Sequence, residues 1–222
     1  MNEYLDKYCE RIAPGLWQEP FNLISNLAFL LVAYIIYRKY LLSQHANFKP
    51  QWDIRLLVLL CVLIAIGSGL WHLFATRRYL WFDRIPIMLF INVYLISCLR
   101  RVLQVPWFGI ALVFILYHIM NTSVQLWFSP LTLNGSLFYI PTLLFLMGIV
   151  ALLFRQHSEM YRTYAFAAFC FTIALILRTF DLNLCSQFSI GSHFAWHILI
   201  ALTLYILLKG LILGNKYQTK QQ

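Results

Sequence analysis

The chain has 222 residues, of which 61% are hydrophobic and 11% are charged, and its mean hydropathy is +0.72. Soluble domains carry about 25% charged residues, so a soluble fold of this length has too few polar side chains to cover its apolar surface. Although the formal net charge is +9, the composition argues against a soluble enzyme, a disordered chain and a nucleic-acid-binding protein. We expect an integral, multi-pass membrane protein.

Seven apolar runs along the chain are long enough to cross a bilayer. A spanning helix needs about 20 mostly apolar residues, and helices satisfy their backbone polar groups within the lipid. Residues 1–20 are polar and lack the apolar core of a signal peptide, so we expect the first span to act as the insertion signal. With no repeat or linker in the sequence, the runs predict one all-α, seven-transmembrane-helix bundle over residues 1–222. The predicted spans are Asn22–Leu42, Ile54–Phe74, Arg84–Leu99, Val105–Asn121, Ser136–Phe154, Tyr161–Arg178 and Ser192–Leu213.

The positive charges between these runs predict the orientation, because cytoplasmic segments are rich in Lys and Arg. With the N-terminus outside, the inner segments hold eleven of the 17 Lys and Arg residues and the outer segments hold six. This distribution predicts the N-terminus outside and the C-terminus inside, with Arg77 and Arg78 in an outer loop. The inner residues are Arg38, Lys39, Lys49, Arg55, Arg100, Arg101, Arg155, Arg162, Lys209, Lys216 and Lys220, and the outer residues are Lys7, Arg11, Arg77, Arg78, Arg84 and Arg178.

Polar side chains that are costly inside a membrane, and that often mark function, gather at one depth in this topology. Helix two ends with Ser68 and His72, Asp83 precedes helix three, and helix seven begins with His193 and His197. These three helix ends all lie on the outer side, so we expect the five side chains to meet although 130 residues separate the first from the last.

The histidines have the spacing of a metal site. His193 and His197 are four residues apart and share a helix face, and His72 would add a third nitrogen. Three nitrogen ligands with a fourth position open to water are typical of catalytic rather than structural zinc. Because no base lies between His193 and His197, Asp83 is the nearest candidate for general acid/base chemistry, and Ser68 lies one turn before His72.

Each of these residues also has a structural interpretation. Asp83 can be the N-cap of a helix whose first turn contains Pro86. Ser68 lies between two glycines and can permit close helix packing, and a lone histidine at a helix end is often an interfacial residue. Their joint occurrence at one depth favours the metal interpretation.

Four motifs follow one another in the sequence: YCER at Tyr8–Arg11, EPxNxxSN at Glu19–Asn26, Ser68 and His72 with Asp83 eleven residues further on, and the pair His193 and His197. In this order and spacing they resemble the alkaline ceramidases, which belong to a superfamily of seven-helix membrane hydrolases that includes the adiponectin and progestin receptors. The residues around Asp181 are more similar to bacterial members. The resemblance implies zinc bound by the three histidines, Asp83 as the general acid/base, and Ser68 as the group that stabilises the oxyanion.

The resemblance also implies a calcium site in the N-terminal segment, where Glu10 and Glu19 occupy two of the acidic positions. Lys7, Arg11 and Ile12 stand where further acidic or amide ligands are expected, which argues against calcium. Glu19 would then pair with a base or cap the first helix.

A polar face on the first helix has two interpretations. Asn22, Ser25 and Asn26 lie at positions i, i+3 and i+4, so they can form hydrogen bonds between helices or support the zinc ligands. In the same way, His118 and Asn121 at the outer end of helix four can either reach the site or serve packing alone.

The five cysteines divide by position. Cys61, Cys98 and Cys170 lie within predicted helices and are expected to be free. Cys9 and Cys185 both fall in outer segments, where an oxidising compartment allows a disulfide; pairing and free thiols both stay open for these two.

Together these features predict a zinc-dependent intramembrane amidase that hydrolyses ceramide-like lipids to a fatty acid and a long-chain amine. Two alternatives stay open: a lipid hydrolase with ester or phospholipid specificity, and a receptor-like lipid-binding protein with structural zinc. The expected partner is membrane lipid, with no nucleic acid and no obligate protein partner. We expect the bacterial inner membrane as the location, with the site towards the periplasm.

Cysteine substitution tests the predicted orientation. Cysteines introduced at Gly15 and Asn134 should react with an impermeant thiol reagent in intact cells, whereas one at Gln44 should react only after permeabilisation, each measured against the unsubstituted chain. The opposite pattern would place the polar cluster on the cytoplasmic side.

Overall fold

The computed structural model describes residues 4–42, 52–156 and 158–218; helices and their connections make up these ranges, and the β-structure within them is one isolated bridge between Tyr4 and Thr76. A π-helical turn, Tyr37–Leu41, follows the second helix, and 3₁₀ turns at Thr132–Tyr139 and Asp181–Leu184 flank the sixth and seventh. The helices are α1 (Pro20–Ser25), α2 (Leu27–Ile36), α3 (Trp52–Phe74), α4 (Arg77–Arg101), α5 (Trp107–Trp127), α6 (Ile140–Arg155), α7 (Tyr161–Phe180) and α8 (His193–Gln218).

Seven helical spans in the described ranges are long and apolar enough to cross a membrane, with α1, α2 and the π-helical turn forming the first of them. The prediction of a seven-helix membrane bundle is confirmed. The positions Gln44, Lys49 and Lys220 lie outside the described residues, and the inside–outside orientation stays a prediction.

The helices differ in how deeply they lie in the bundle. In α8, 61% of the most apolar stretch is buried, against 11% in α5. Helix α8 packs against α2 and α7, and α3 packs along α4. Because α5 exposes large apolar side chains such as Leu112, Ile115 and Ile119, it forms a lipid-facing edge, whereas α3 and α8 form the interior that carries the polar cluster.

The predicted start of the third span at Arg84 is wrong. Helix α4 begins at Arg77, after a connection of only two residues in which Ala75 has a φ of 45°. Arg77 and Arg78 therefore lie in its first turn rather than in a loop, and Asp83 lies in the second turn and is not an N-cap. Pro86, which suggested a helix start, lies inside the helix instead.

A glycine on α3 makes room for the proline-containing part of α4. Pro86 has no N–H to donate to the Phe82 carbonyl, four residues earlier. That carbonyl packs directly against Gly67, where an added Cβ atom would collide with it. This close approach brings α4 against α3 at the level of Ser68 and Asp83.

The opposite end of the same helix pair is held by a buried ion pair. Arg101, in the last turn of α4, donates two hydrogen bonds of 2.7 Å to the Asp53 carboxylate in the first turn of α3. The Ser97 hydroxyl donates a third, of 2.8 Å. The bidentate geometry fixes the alignment of the two helices.

A disulfide between Cys9 and Cys185 ties the N-terminal segment to the connection between α7 and α8. Of the two alternatives left open by the sequence, the structure shows the paired form. The other three cysteines are free, as predicted, and they are buried. The bridge spans a sequence separation of 176 residues, and in the chain-entropy model a loop of this length stabilises the fold by about 5 kcal/mol. The N-terminal segment is therefore fixed over the end of the bundle that carries the polar cluster.

Replacement of Gly67 with alanine tests the close approach of α3 and α4. Because the new Cβ atom would collide with backbone rather than with a movable side chain, we expect Gly67→Ala to lower the free energy of unfolding in detergent by about 1–3 kcal/mol. Gly148→Ala is the matched control, since no atom lies within 4 Å of its added Cβ. Equal thermal stability of the two variants would contradict the proposed packing.

Candidate metal centre

Three histidines from two helices meet in the interior of the bundle. His72 lies near the end of α3, and His193 and His197 lie on one face of the first two turns of α8. Their exposed fractions are 1%, 1% and 3%, and their candidate donor atoms all lie within 4.8 Å of one another. The arrangement can hold a metal ion and is compatible with zinc.

Hydrogen bonds fix the tautomers of two of these histidines. The His72 Nδ1 atom lies 2.5 Å from a carboxylate oxygen of Glu19, which only accepts. The His197 Nδ1 atom lies 2.7 Å from the Ser25 hydroxyl, and that hydroxyl donates its own proton to the carbonyl of Asn22. Both histidines therefore carry their proton on Nδ1, an assignment that follows from the network, and each presents an Nε2 lone pair.

These two lone pairs face each other. The Nε2 atoms of His72 and His197 are 3.3 Å apart, where two lone pairs repel unless a proton or a cation lies between them. Two nitrogens at 2.0–2.1 Å from a tetrahedral zinc ion would be about 3.3 Å apart. His193 adds a buried Nδ1 atom that has no hydrogen-bond partner. The donor set and its spacing therefore fit a zinc ion.

A buried arginine holds the carboxylate that orients His72. Arg11, 3% exposed, donates from Nε to Glu19, and from its other nitrogens to the carbonyls of Gly15 at 3.0 Å and His72 at 2.7 Å. Burial alone would raise the pKa of the Glu19 carboxyl, but the hydrogen bonds from His72 and Arg11, together with the positive charge of Arg11, lower it below its ordinary value. Glu19 therefore acts as a charged acceptor for the histidine.

The two acidic residues considered for calcium both have protein donors. Glu10 accepts the backbone N–H groups of Phe21 at 2.6 Å and Asn22 at 2.9 Å, and so caps α1. Glu19 pairs with Arg11 instead of capping. The cation at this carboxylate is thus a guanidinium that belongs to the chain.

The polar residues on the first span differ in how they contact the histidine cluster. Ser25 bonds His197, and the Asn22 side chain donates to Glu19 at 3.1 Å. Asn26 donates to the carbonyl of Asn22 at 2.8 Å and contacts no histidine through a hydrogen bond. His118 bonds Asn92 at 3.0 Å, and neither His118 nor Asn121 lines the cavity beside the cluster, so helix α5 does not contribute to it.

A long apolar cavity opens beside the metal cluster. Ser68, Asp83, His193 and His197 line one end, and the Ser68 hydroxyl interacts with the Asp83 carboxylate. The space between the lining residues is about 980 Å³, a volume that includes open solvent at the mouth. Along α4 its lining runs from Asp83 to Leu95, about 18 Å at 1.5 Å per helical residue. Its deep walls are apolar, formed by Phe90, Leu95, Leu146, Ile149, Phe171, Leu204 and Leu207.

Two further residues support the site and were not predicted from the sequence. The Tyr8 ring stacks on His193 with centroids 3.8 Å apart, and burial raises the pKa of Tyr8 to about 12. Asp181 is fully buried and accepts the N–H groups of Ser192 at 2.7 Å and His193 at 2.9 Å. An added Cβ at Gly191, whose φ is 67°, would collide with this carboxylate. The one sequence signal for the role of Asp181 was that it is a lone acidic residue shortly before a predicted helix start, where a carboxylate can accept backbone N–H groups.

Comparison with known proteins agrees with this geometry. A search of curated proteins finds no match to the chain. The family model described as Ceramidase matches residues 8–222, a range that contains the three histidines, Asp83 and all seven spans. This match supports, in general terms, a ceramide-hydrolysing function. The chain therefore belongs to the ceramidase family.

Proposed function

We propose that the protein is a zinc-dependent membrane amidase that hydrolyses ceramide-like lipids to a fatty acid and a long-chain amine. The observation that carries the proposal is the position of the three-histidine cluster at one end of a long apolar cavity. The cavity has the length and polarity to take an acyl chain, which would bring the amide group to the histidines.

His72, His193 and His197 would hold the metal, and Glu19 and Ser25 would fix two of these rings through their Nδ1 atoms. When bound, zinc polarises a carbonyl group and lowers the pKa of water towards neutrality. Carboxylate and hydroxyl partners of this kind keep the histidines in the tautomer that binds metal and raise their basicity.

Asp83 and Ser68 would carry the proton transfer and the charge stabilisation. The Asp83 carboxylate accepts a proton from the attacking water and later donates it to the nitrogen of the leaving amine. The Ser68 hydroxyl donates a hydrogen bond to the oxygen on which negative charge develops. Because the deep cavity is apolar, the acyl chain excludes bulk water while these steps take place.

The metal content of histidine variants tests the proposed ligands. Purified protein should contain about one zinc ion per chain, and His193→Ala combined with His197→Ala should remove it, since a single nitrogen would be left. His118→Ala is the control, because His118 is half-buried and bonds Asn92 outside the cluster. Elemental analysis that finds no zinc in the wild type, or equal zinc in the double variant, would contradict the proposal.

Replacement of Asp83 separates an enzyme from a lipid-binding protein with structural zinc. General acid–base help is worth about 10²–10⁴ in rate, so Asp83→Asn should retain zinc and thermal stability but lose at least about a hundredfold in lipid hydrolysis. The exposed Asp6 provides a control, and Asp6→Asn should keep full activity.

Hydrolysis of a lipid extract, with products detected by mass spectrometry, is the measurement for these variants. Unchanged activity of Asp83→Asn would remove Asp83 from the mechanism, and loss of zinc together with activity would make it a structural residue. If the wild type releases no fatty acid from acyl-amide or acyl-ester lipids, the chain is a binding protein. Release from esters but not amides would change the bond assigned to it.

A further inference from the structure

Arg178, in the last turn of α7, reaches into the same cavity as Asp83 and His193. Its guanidinium carbon lies 5.2 Å from the centroid of the Trp196 ring, 5.6 Å from that of Tyr139 and 6.0 Å from that of Tyr8. Three aromatic faces at cation–π distance hold the charged group in place. The guanidinium is therefore a fixed positive charge beside the three histidines.

This charge has no acidic partner in contact. No ion pair in the described ranges includes Arg178, and its Nε atom is buried without a hydrogen-bond partner. It interacts with the hydroxyl of Tyr8, and the pKa of that hydroxyl is raised to about 12, so the hydroxyl is neutral. A buried donor of a charged group is costly when it has no acceptor, and cation–π contacts leave the Nε–H group in the guanidinium plane available to an acceptor. The arrangement fits a ligand that brings a negative charge.

Other basic side chains extend this positive region outward from the cavity. Burial lowers the pKa of the Lys7 ammonium group, and the positive charges of Arg84 and Arg178 lower it further. Arg77 adds a smaller effect of the same sign. We call these four residues the basic rim. Asp83 interacts with two of its members, Arg178 and Arg84.

The position of the basic rim relative to the apolar cavity walls indicates which part of a bound lipid carries the negative charge. The deep walls of the cavity are apolar and suit the acyl chain, whereas Arg178 lies at the level of the histidines. Lys7 is half-buried and Arg77 is exposed, so the basic rim continues from Arg178 towards the surface of the protein. A charged group bound there belongs to the part of the lipid that remains at the mouth.

We propose that Arg178 binds an anionic group on the amine half of the substrate, such as a phosphate, sulfonate or carboxylate. The preferred substrate is then an N-acyl lipid with a negatively charged headgroup rather than a neutral ceramide. The position of the scissile bond in this inference rests on the proposed amidase function. The anion site itself does not depend on that function.

Paired substrates that differ only in headgroup charge test the inference. Ceramide and ceramide 1-phosphate with the same acyl chain are offered to the zinc-loaded protein in mixed micelles. Hydrogen bonds to a charged group are strong enough to make kcat/KM about 10- to 100-fold higher for the phosphorylated lipid. We expect Arg178→Gln to remove most of this ratio and Arg178→Lys, which keeps the charge, to retain part of it.

Arg100 is the matched control, because its guanidinium also contacts an aromatic ring, that of Trp107 at 5.6 Å, but at the other end of α4. Arg100→Gln should leave the substrate ratio unchanged. A wild-type ratio near one, or an equal loss of kcat/KM for both lipids in Arg178→Gln, would overturn the inference. Arg178→Gln could instead weaken inhibition by dodecanoate and leave the ratio of kcat/KM for the two lipids unchanged. Arg178 would then bind the fatty-acid product rather than the headgroup, and this result would also overturn the inference.

A binding measurement keeps this test separate from the proposed function. Dodecyl phosphate and dodecanol compete with a fluorescent lipid for the zinc-loaded wild type and for Arg178→Gln. If neither ceramide is hydrolysed but dodecyl phosphate binds more tightly than dodecanol only when Arg178 is present, the amidase proposal fails and the anion site stands. Equal affinity of the two probes in the wild type would overturn the anion site whatever the activity.

Discussion

The arrangement of the histidine cluster depends on the carboxylate of Glu19, which accepts a hydrogen bond from His72. One oxygen accepts from the buried Arg11 guanidinium, and the other accepts from His72 and Asn22. A bare carboxylate at this depth would be strongly disfavoured by desolvation, so the fixed guanidinium keeps it charged. Without the charge on Glu19, the proton on the His72 Nδ1 atom would lose its acceptor, and the Nε2 lone pair would lose its orientation.

Because Arg11 also bonds the His72 carbonyl, the same side chain joins the N-terminal segment to the end of α3. A carbonyl in the last turn of a helix carries partial negative charge, which favours a cation there. The cation that the structure shows at Glu19 is thus the Arg11 guanidinium, which belongs to the chain itself. An arginine cannot dissociate, so the support of His72 does not depend on the concentration of an ion.

The sequence predicted much of this architecture because membrane helices leave a strong signal. The number and order of the spans follow from apolar length, and the four-residue spacing of His193 and His197 determines that they share a face. The start of α4 was missed because charged residues and Pro86 resemble a helix boundary, whereas the packing of Phe82 against Gly67 accommodates the proline inside the helix. That packing depends on a tertiary contact.

The supporting residues were harder to predict for a related reason. Tyr8 and Arg11 lie in an irregular segment with no periodicity, so the sequence does not show which helix end they cover. In the sequence, Arg178 is one of several basic residues predicted at the outer membrane surface. The structure shows that three aromatic rings surround its guanidinium and that it lines the cavity. The resemblance to ceramidases supplied the roles of the polar residues, and those roles remain predictions.

The disulfide between Cys9 and Cys185 constrains the order in which the protein can assemble during synthesis. A ribosome makes the first cysteine long before the second, and the two can join only after six of the seven spans have been synthesised. His193 and His197 emerge later still. The disulfide therefore cannot hold the segment that carries Tyr8 and Arg11 while the first six spans are being synthesised. The histidine cluster is therefore completed late in biogenesis, and a chain interrupted before α8 would lack two of its three histidines.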